Sequence, residues 1–263
     1  MLVVIKGAGD IATGIALRLF RAKLHVVMTD LPRPTSIRRT VCFSEAIIRG
    51  TYRVEDVTAV RIDDPREAEN VLAQGRIPVL ADPEAKCVQA LRPDVVVDAI
   101  LAKHNLNTRI TDAKVVIGVG PGFTVGKDCH AAVETQRGHY LGRVLLQGSA
   151  AENTGIPGNI GGYTVERIIR APKEGIFRPV RQIGDTVAAD ETVAYVDETP
   201  VKCLIAGVLR GILPEGTPVF QGMKSGDIDP RCKIDHCYCA SDKALSVGGG
   251  VLEACLRLSY TDS

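Results

Sequence analysis

The stretch from Met1 to Gly14 constrains this chain more than any other. Leu2 to Ile5 is a short apolar run suited to a buried strand, Gly7-Ala8-Gly9 makes a turn, and Ile11, Ile15 and Leu19 then recur at a helical period. Strand, Gly-x-Gly and helix in that order is how a dinucleotide-binding βαβ unit begins. In such a unit Gly7 permits the tight turn, Gly9 lets a pyrophosphate approach the backbone, and Ala12, next to Ile11, keeps helix and strand close. The second apolar run, His25 to Thr29, ends in Asp30. That is about 20 residues on, where an acid accepts hydrogen bonds from a ribose. Asp10 argues the other way, because a carboxylate at the first turn caps the helix and repels an anion unless a cation bridges them.

Composition narrows the class. The 263 residues carry a net charge of +1 and give no electrostatic footprint for nucleic acid. No apolar run approaches the roughly 18 residues a membrane helix needs. No basic region followed by a long apolar segment marks a secretory leader, so a cytoplasmic protein is expected. Eight cysteines lie scattered, several inside apolar runs, which fits reduced thiols better than a disulfide framework.

Strand and helix patterns alternate from Val57 to Val97, which predicts a parallel sheet with right-handed crossovers. The proline-broken loop after Asp30 places Arg38 and Arg39 at a strand's carboxyl end as anion partners. Lys103 and Asn105 follow the strand ending at Asp98, and a second glycine loop, Gly118, Gly120 and Gly122, follows the next strand. That loop lacks the Gly-Lys-Ser/Thr ending of a phosphate-binding P-loop, since Asp128 follows Gly126-Lys127. His130 and Glu134 are spaced to share a helix face as an acid/base or metal pair, and Lys103 is a further acid/base candidate.

From Ile169 the texture becomes all-β, with turn signals at short intervals. Ala171-Pro172, Ile183-Gly-Asp-Thr-Val187 and Glu215-Gly-Thr-Pro-Val219 resemble a biotinyl/lipoyl-like barrel-sandwich domain. The hairpin that carries the modified lysine in that family reads Asp197-Glu-Thr-Pro200 here, so neither biotin nor lipoate is expected. The predicted fold is α/β: a Rossmann-like parallel sheet over 1–168 plus 226–263, with a barrel-sandwich unit inserted at 169–225. Cys232, His236, Cys237 and Cys239 crowd into eight residues, but their spacing matches no standard zinc or iron–sulfur site, so they stand as weak metal candidates. Ser241-Asp-Lys243 is placed to cap a last segment running through Gly248-Gly-Gly250 to Leu258.

Several motifs carry a resemblance. Gly7-Ala-Gly-Asp10, Ile37-Arg-Arg-Thr-Val41, Ala102-Lys-His-Asn105, Gly120-Pro-Gly-Phe123, Glu134-Thr-Gln-Arg-Gly-His139, Lys224-Ser-Gly-Asp-Ile-Asp-Pro-Arg231 and Gly248-Gly-Gly-Val-Leu-Glu-Ala254 stand in this order. Together they resemble the YqeB-type accessory proteins of the selenium-dependent molybdenum hydroxylase system. The first half is also similar to the Rossmann domain of the xanthine dehydrogenase accessory factor. The resemblance implies maturation of a molybdenum hydroxylase client by handling or inserting the molybdenum cofactor, and it assigns no catalytic residue. The ligand expected is a pterin-nucleotide or a dinucleotide such as NAD(P), with homo-oligomerisation left open. Two other readings remain: an NAD(P)-dependent oxidoreductase using His130 or Lys103, and a non-catalytic interaction module whose Asp10 caps its own helix.

Overall fold

The computed structural model describes residues 1–260, which fall into two compact units. The first is built from Met1–Pro34, Cys42–Thr154 and the chain from Ala240 onward. Its elements are β1 (Leu2–Lys6), α1 (Asp10–Arg21), β2 (His25–Asp30), α2 (Glu45–Arg49), β3 (Thr51–Val54), β4 (Val57–Ile62) and α3 (Ala68–Ala73). There follow β5 (Ile77–Ala81), α4 (Cys87–Leu91), β6 (Val95–Asp98), β7 (Val115–Val119), β8 (Ala131–Val133), β9 (Val144–Leu145) and, near the chain's end, α5 (Asp242–Ser259). The nine strands form one sheet in the order β3-β4-β5-β2-β1-β6-β7-β8-β9. Val3 to Ile5, Val26 to Met28 and Val95 to Val97 are wholly buried, as strands covered on both faces require. Val4 and Val27 pack with Ala68 and Val71 of α3 and Cys87 of α4.

The second unit comprises Thr35–Val41 and Gly155–Cys239. Its strands are β10 (Ile168–Arg170), β11 (Gly175–Pro179), β12 (Thr186–Val187), β13 (Thr192–Val196), β14 (Thr199–Lys202), β15 (Gly207–Ile212), β16 (Thr217–Val219) and β17 (Lys224–Asp229). They make two four-stranded antiparallel sheets, β10-β17-β15-β12 and β14-β13-β11-β16. Phe177, Leu209, Ile212 and Ile228 anchor the core these sheets share. The hairpin between β13 and β14 turns at Asp197-Glu198, and Lys202 lies within β14.

This architecture corrects the expectation of a Rossmann-like parallel sheet with an inserted barrel-sandwich. The large sheet is mixed, because β3 runs antiparallel to β4 and β9 antiparallel to β8. Glu55 adopts a left-handed φ of 53°, which turns β3 into β4 as a tight hairpin. No helix connects β6 to β7 or β7 to β8. In the first of these connections Asn105 bonds the Thr108 backbone in both directions, a local pairing that competes with helix formation. The expected boundaries at 169 and 225 also move. β17 pairs with β10 and β15, so it completes the second unit and does not return to the first. Ile37 packs on that unit's core and its carbonyl accepts from the Ile212 amide at 2.9 Å, which draws residues 35–41 in as well.

The last segment forms a helix, α5, and starts at the expected cap. Ser241 Oγ accepts from the Ala244 amide at 3.2 Å, the expected N-cap. α5 lies across α1 and against β7, β8 and β9. Small residues set the approach: a Cβ on Gly14 would sit 2.5 Å from Ala244 Cβ, and one on Gly248 2.8 Å from the Gly14 carbonyl. No disulfide joins the cysteines among the described residues. Burial pushes the thiols of Cys87 and Cys255 up to about 12 and that of Cys129 to about 11, so these three stay protonated and inert near neutral pH. Among the described residues no helix is long and apolar enough to cross a membrane.

Two adjacent glycines of α5 test this packing. A Cβ on Gly250 would fall 2.1 Å from the Gly142 carbonyl, whereas one on Gly249 meets nothing within 4 Å. Gly249→Ala should therefore stabilise by about 1 kcal/mol through helix propensity alone. Gly250→Ala gains the same propensity but overpacks, and should lose on the order of 1–2 kcal/mol net in urea unfolding.

Candidate functional site

The carboxyl ends of β1, β2, β6 and β7 bring most of the expected residues into one region of the first unit. Gly9, with an extended backbone (φ −74°, ψ −170°), occupies the N-cap of α1 and supplies no side chain to the first-turn amides. Asp10 is the first helical residue, where its charge complements the helix dipole, but the cap residue is Gly9. Ile11 and Ala12 are buried in the face of α1 that packs inward. Gly7 (φ +101°) donates its amide to the Thr29 carbonyl at 2.8 Å, and a Cβ there would meet the Ala99 carbonyl at 2.9 Å. The turn thus needs glycine for its own packing as well as for any ligand.

Asp30 closes the turn from the far side. Its Oδ2 accepts from the Ala8 amide at 2.8 Å and its Oδ1 from the Leu31 amide at 2.7 Å. Burial pushes the Asp30 carboxyl above its ordinary value, against the pull of the two amides. Each oxygen keeps a lone pair, so the residue holds the turn and retains acceptor capacity for a ribose.

Beside the turn lies a charged group that periodicity alone does not reveal. Lys6 and Asp98 are register partners at the last residues of β1 and β6, and both are almost fully buried. Lys6 Nζ stands 3.8 Å from Asp98 Oδ2 and donates to Thr108 Oγ1 at 2.5 Å and to Asn107 Oδ1. Thr108 Oγ1 in turn donates to Asp98 Oδ2 at 2.6 Å. A buried pair satisfied in this way is costly to break, because a lone charge would be left behind. The signal in the sequence is that an apolar run closes on Lys6 and another on Asp98, opposite charges at two strand ends.

The two loops beyond these strands pack on each other. A Cβ on Gly122 (φ +104°) would lie 2.5 Å from the His104 backbone, and one on Gly120 (φ +80°) 3.4 Å from a Leu101 methyl. Gly118 meets the Phe123 ring in the same way, at 2.4 Å. Leu101 and Lys103 hold left-handed φ of 61° and 69°, a strained conformation for side-chain-bearing residues, and Lys103 is exposed. Asn105 is spent on the Thr108 backbone.

The other candidates fall elsewhere. His130 and Glu134 flank β8, a strand rather than the expected helix, so their α-carbons stand about 13 Å apart. His130 Nδ1 accepts from the Val116 amide at 2.9 Å, and Glu134 accepts from the amides of Gln136 at 2.6 Å and Ala151 at 2.8 Å. Arg38 and Arg39 belong to the second unit and donate to its backbone carbonyls, Arg38 to His236 and Cys239 and Arg39 to Ile212. Cys232, Cys237 and Cys239 direct their thiols at the separate carbonyls of Pro230, Leu209 and Asp235. His236 instead faces Asp229, with Nδ1 3.5 Å from Oδ2. Among the described residues no three His, Cys, Asp or Glu side chains group as a metal site.

The chain is 49% identical over 259 residues to the Escherichia coli (strain K12) protein described as "Uncharacterized protein YqeB". That identity supports the YqeB resemblance. The alignment covers 98% of this chain and 48% of the YqeB protein, so the chain spans about half the length of the curated relative it matches. No family model matches the sequence. Among solved structures it is similar to an aspartoacylase family protein from Mesorhizobium loti (12% identity, 86% of this chain and 84% of that one, TM-score 0.28). A succinylglutamate desuccinylase/aspartoacylase from Rhodobacter sphaeroides compares likewise (12% identity, the same coverage, TM-score 0.27). Likeness at that level carries no argument about fold or activity.

Two changes probe the site's supports. Glu134→Gln removes one of two backbone-bound oxygens, and should cost about 1–3 kcal/mol in chemical denaturation. For Asp30 the folded-state pKa lies above the ordinary 3.8, so the unfolded chain loses its proton first as pH rises. Stability of the wild type relative to Asp30→Asn should therefore fall as pH climbs from 3.8 through the raised value, and level off beyond it, in urea titrations over a pH series.

Proposed function

We propose that this chain is a cytoplasmic accessory protein for selenium-dependent molybdenum hydroxylases, handling or inserting the molybdenum cofactor as its cargo. The observation that carries the reading is the glycine-capped start of α1, directly after parallel strand β1 and beside Asp30. Helix amides with no capping side chain above them suit a phosphate, and a pterin-nucleotide carries phosphates. Asp30 keeps acceptor capacity for the sugar, and exposed Lys103 offers a charge-assisted donor from the neighbouring loop. The buried Lys6–Asp98 pair holds the floor of this region in place. The string of motifs shared with YqeB-type sequences supports the link to a molybdenum hydroxylase client.

His130 and Glu134 are both bonded to backbone and lie apart, so no observation favours the oxidoreductase reading over this one.

Calorimetric titration with cytidine and adenine nucleotides and with NAD(P), together with cofactor analysis of a hydroxylase from cells lacking this chain, tests the proposal. Saturable nucleotide binding and a cofactor-poor client are expected. A client isolated fully loaded from such cells would overturn the maturation role, and failure of every nucleotide to bind would overturn the nucleotide-type site.

A further inference from the structure

β6 and β7 run parallel and carry the proposed site at their carboxyl ends, and a separate cavity opens at their amino ends. It has a volume of about 370 Å³ and lies between the last turn of α4 and the turn that leads into β7. A cavity of that size holds a small metabolite. Its floor is apolar: Val88 and Ala113 pack on the core around Val96 and Val116, and Pro93 is buried. Its rim is polar, with Gln89 and Arg92 on the α4 side and Thr111 and Asp112 on the other.

The rim does little for the fold. The side chains of Gln89, Arg92 and Thr111 make no hydrogen bond or ion pair among the described residues. Arg61 and Arg66, also on this unit's surface, each find a carboxylate, at Asp63 and Asp64. Arg92 has Asp112 on the opposite wall of its cavity, yet no ion pair joins them. Asp112 Oδ2 accepts from the Arg109 amide at 3.0 Å, which fixes the carboxylate and leaves Oδ1 for another donor. Arg92 also holds a left-handed backbone, φ 46° and ψ 60°, at the C-cap of α4, where its amide donates to the Val88 carbonyl at 2.9 Å. Glycine is the ordinary residue for that position. A long side chain kept there at a conformational cost points to a use for the guanidinium.

We infer that this cavity binds an amino-acid-type zwitterion with an aliphatic side chain. The carboxylate of the ligand meets the Arg92 guanidinium and the Gln89 amide, which stand three residues apart at the end of α4 and share a face. Its ammonium meets Asp112 Oδ1 and the Thr111 hydroxyl. Its side chain lies on Val88, Pro93 and Ala113, where burial of apolar surface adds to affinity. Opposite charges held apart across a cavity suit a ligand that carries both, whereas a simple anion or cation leaves one wall unanswered. The site lies within the first unit and does not depend on the glycine turn.

Calorimetry on the full chain tests this with L-leucine as the probe. The deaminated analogue 4-methylpentanoate lacks the ammonium and isopentylamine lacks the carboxylate, and both serve as controls at matched ionic strength. Leucine should bind saturably and each control at least about tenfold more weakly, the factor expected for losing a charge-assisted bond. Arg92→Gly should weaken leucine by a similar factor without lowering the thermal unfolding midpoint, since glycine relieves the left-handed backbone. Asp112→Asn keeps an oxygen for the Arg109 amide, so the turn is retained. That change should bring leucine down to the affinity of 4-methylpentanoate and leave 4-methylpentanoate itself unchanged. Failure of leucine to saturate, equal affinity for either control, or undiminished leucine binding by Arg92→Gly would each overturn the inference.

Discussion

One hydrogen bond, from the Ala8 amide to the Asp30 carboxylate, is where the first unit's geometry converges. It joins the turn after β1 to the end of β2, while the Gly7 amide reaches Thr29 and the bare α-carbon of Gly7 admits the chain leaving β6. Three parallel strands therefore meet at one point. Burying a carboxylate there is unfavourable, and the positive end of α1 together with the Ala8 and Leu31 amides offsets part of the cost. At the adjoining ends of β1 and β6, Lys6 and Asp98 hold each other and Thr108 through opposite charges and hydrogen bonds. The glycine turn is thus braced by a neighbouring charge pair as well as by backbone.

The same residue types serve different ends in different places. Glycine at 7, 118 and 122 lets backbone pass close to backbone or to a ring, whereas at 14, 248 and 250 it lets α1, α5 and a loop approach. Arginine in the first unit is largely at the surface, as in the Arg21 pairs with Glu55 and Asp56. In the second unit Arg167 and Arg210 are turned inward onto Asp227, and Arg38 is buried with its guanidinium on the His236 and Cys239 carbonyls.

Long apolar runs were legible in the sequence: β1, β2, β4, β5, β6 and β7 stand where period and flanking charge predict. The start of α5 was legible through its Ser241 cap, whereas the glycine triplet inside it disfavours helix and is tolerated by packing. The parallel-sheet inference failed at the sheet's two edges, on β3 with four residues and β9 with two, both too short to show a period. Ala131 to Val133 failed for the same reason, and reading it as helix paired His130 with Glu134. Of the site, Gly7, Gly9 and Asp30 were visible because the turn is a local pattern. Lys6 was hidden by its place at the end of an apolar run, and only pairing of β1 with β6 reveals its partner. Arg38 and Arg39 could not be placed from sequence, because a loop's destination is decided by distant strands.

The second unit is assembled from residues 35–41 and 155–239, so a short piece of it is made long before the rest. During synthesis that piece must wait while residues 42–154 emerge, and the first unit in turn waits for α5. Neither unit can finish as an independent, contiguous folding event. Contacts of such long sequence separation slow folding, since loop-closure entropy is lost before they form. Chain order therefore couples the two units in time: α5, made after both pieces of the second unit, packs on the sheet that β1 belongs to.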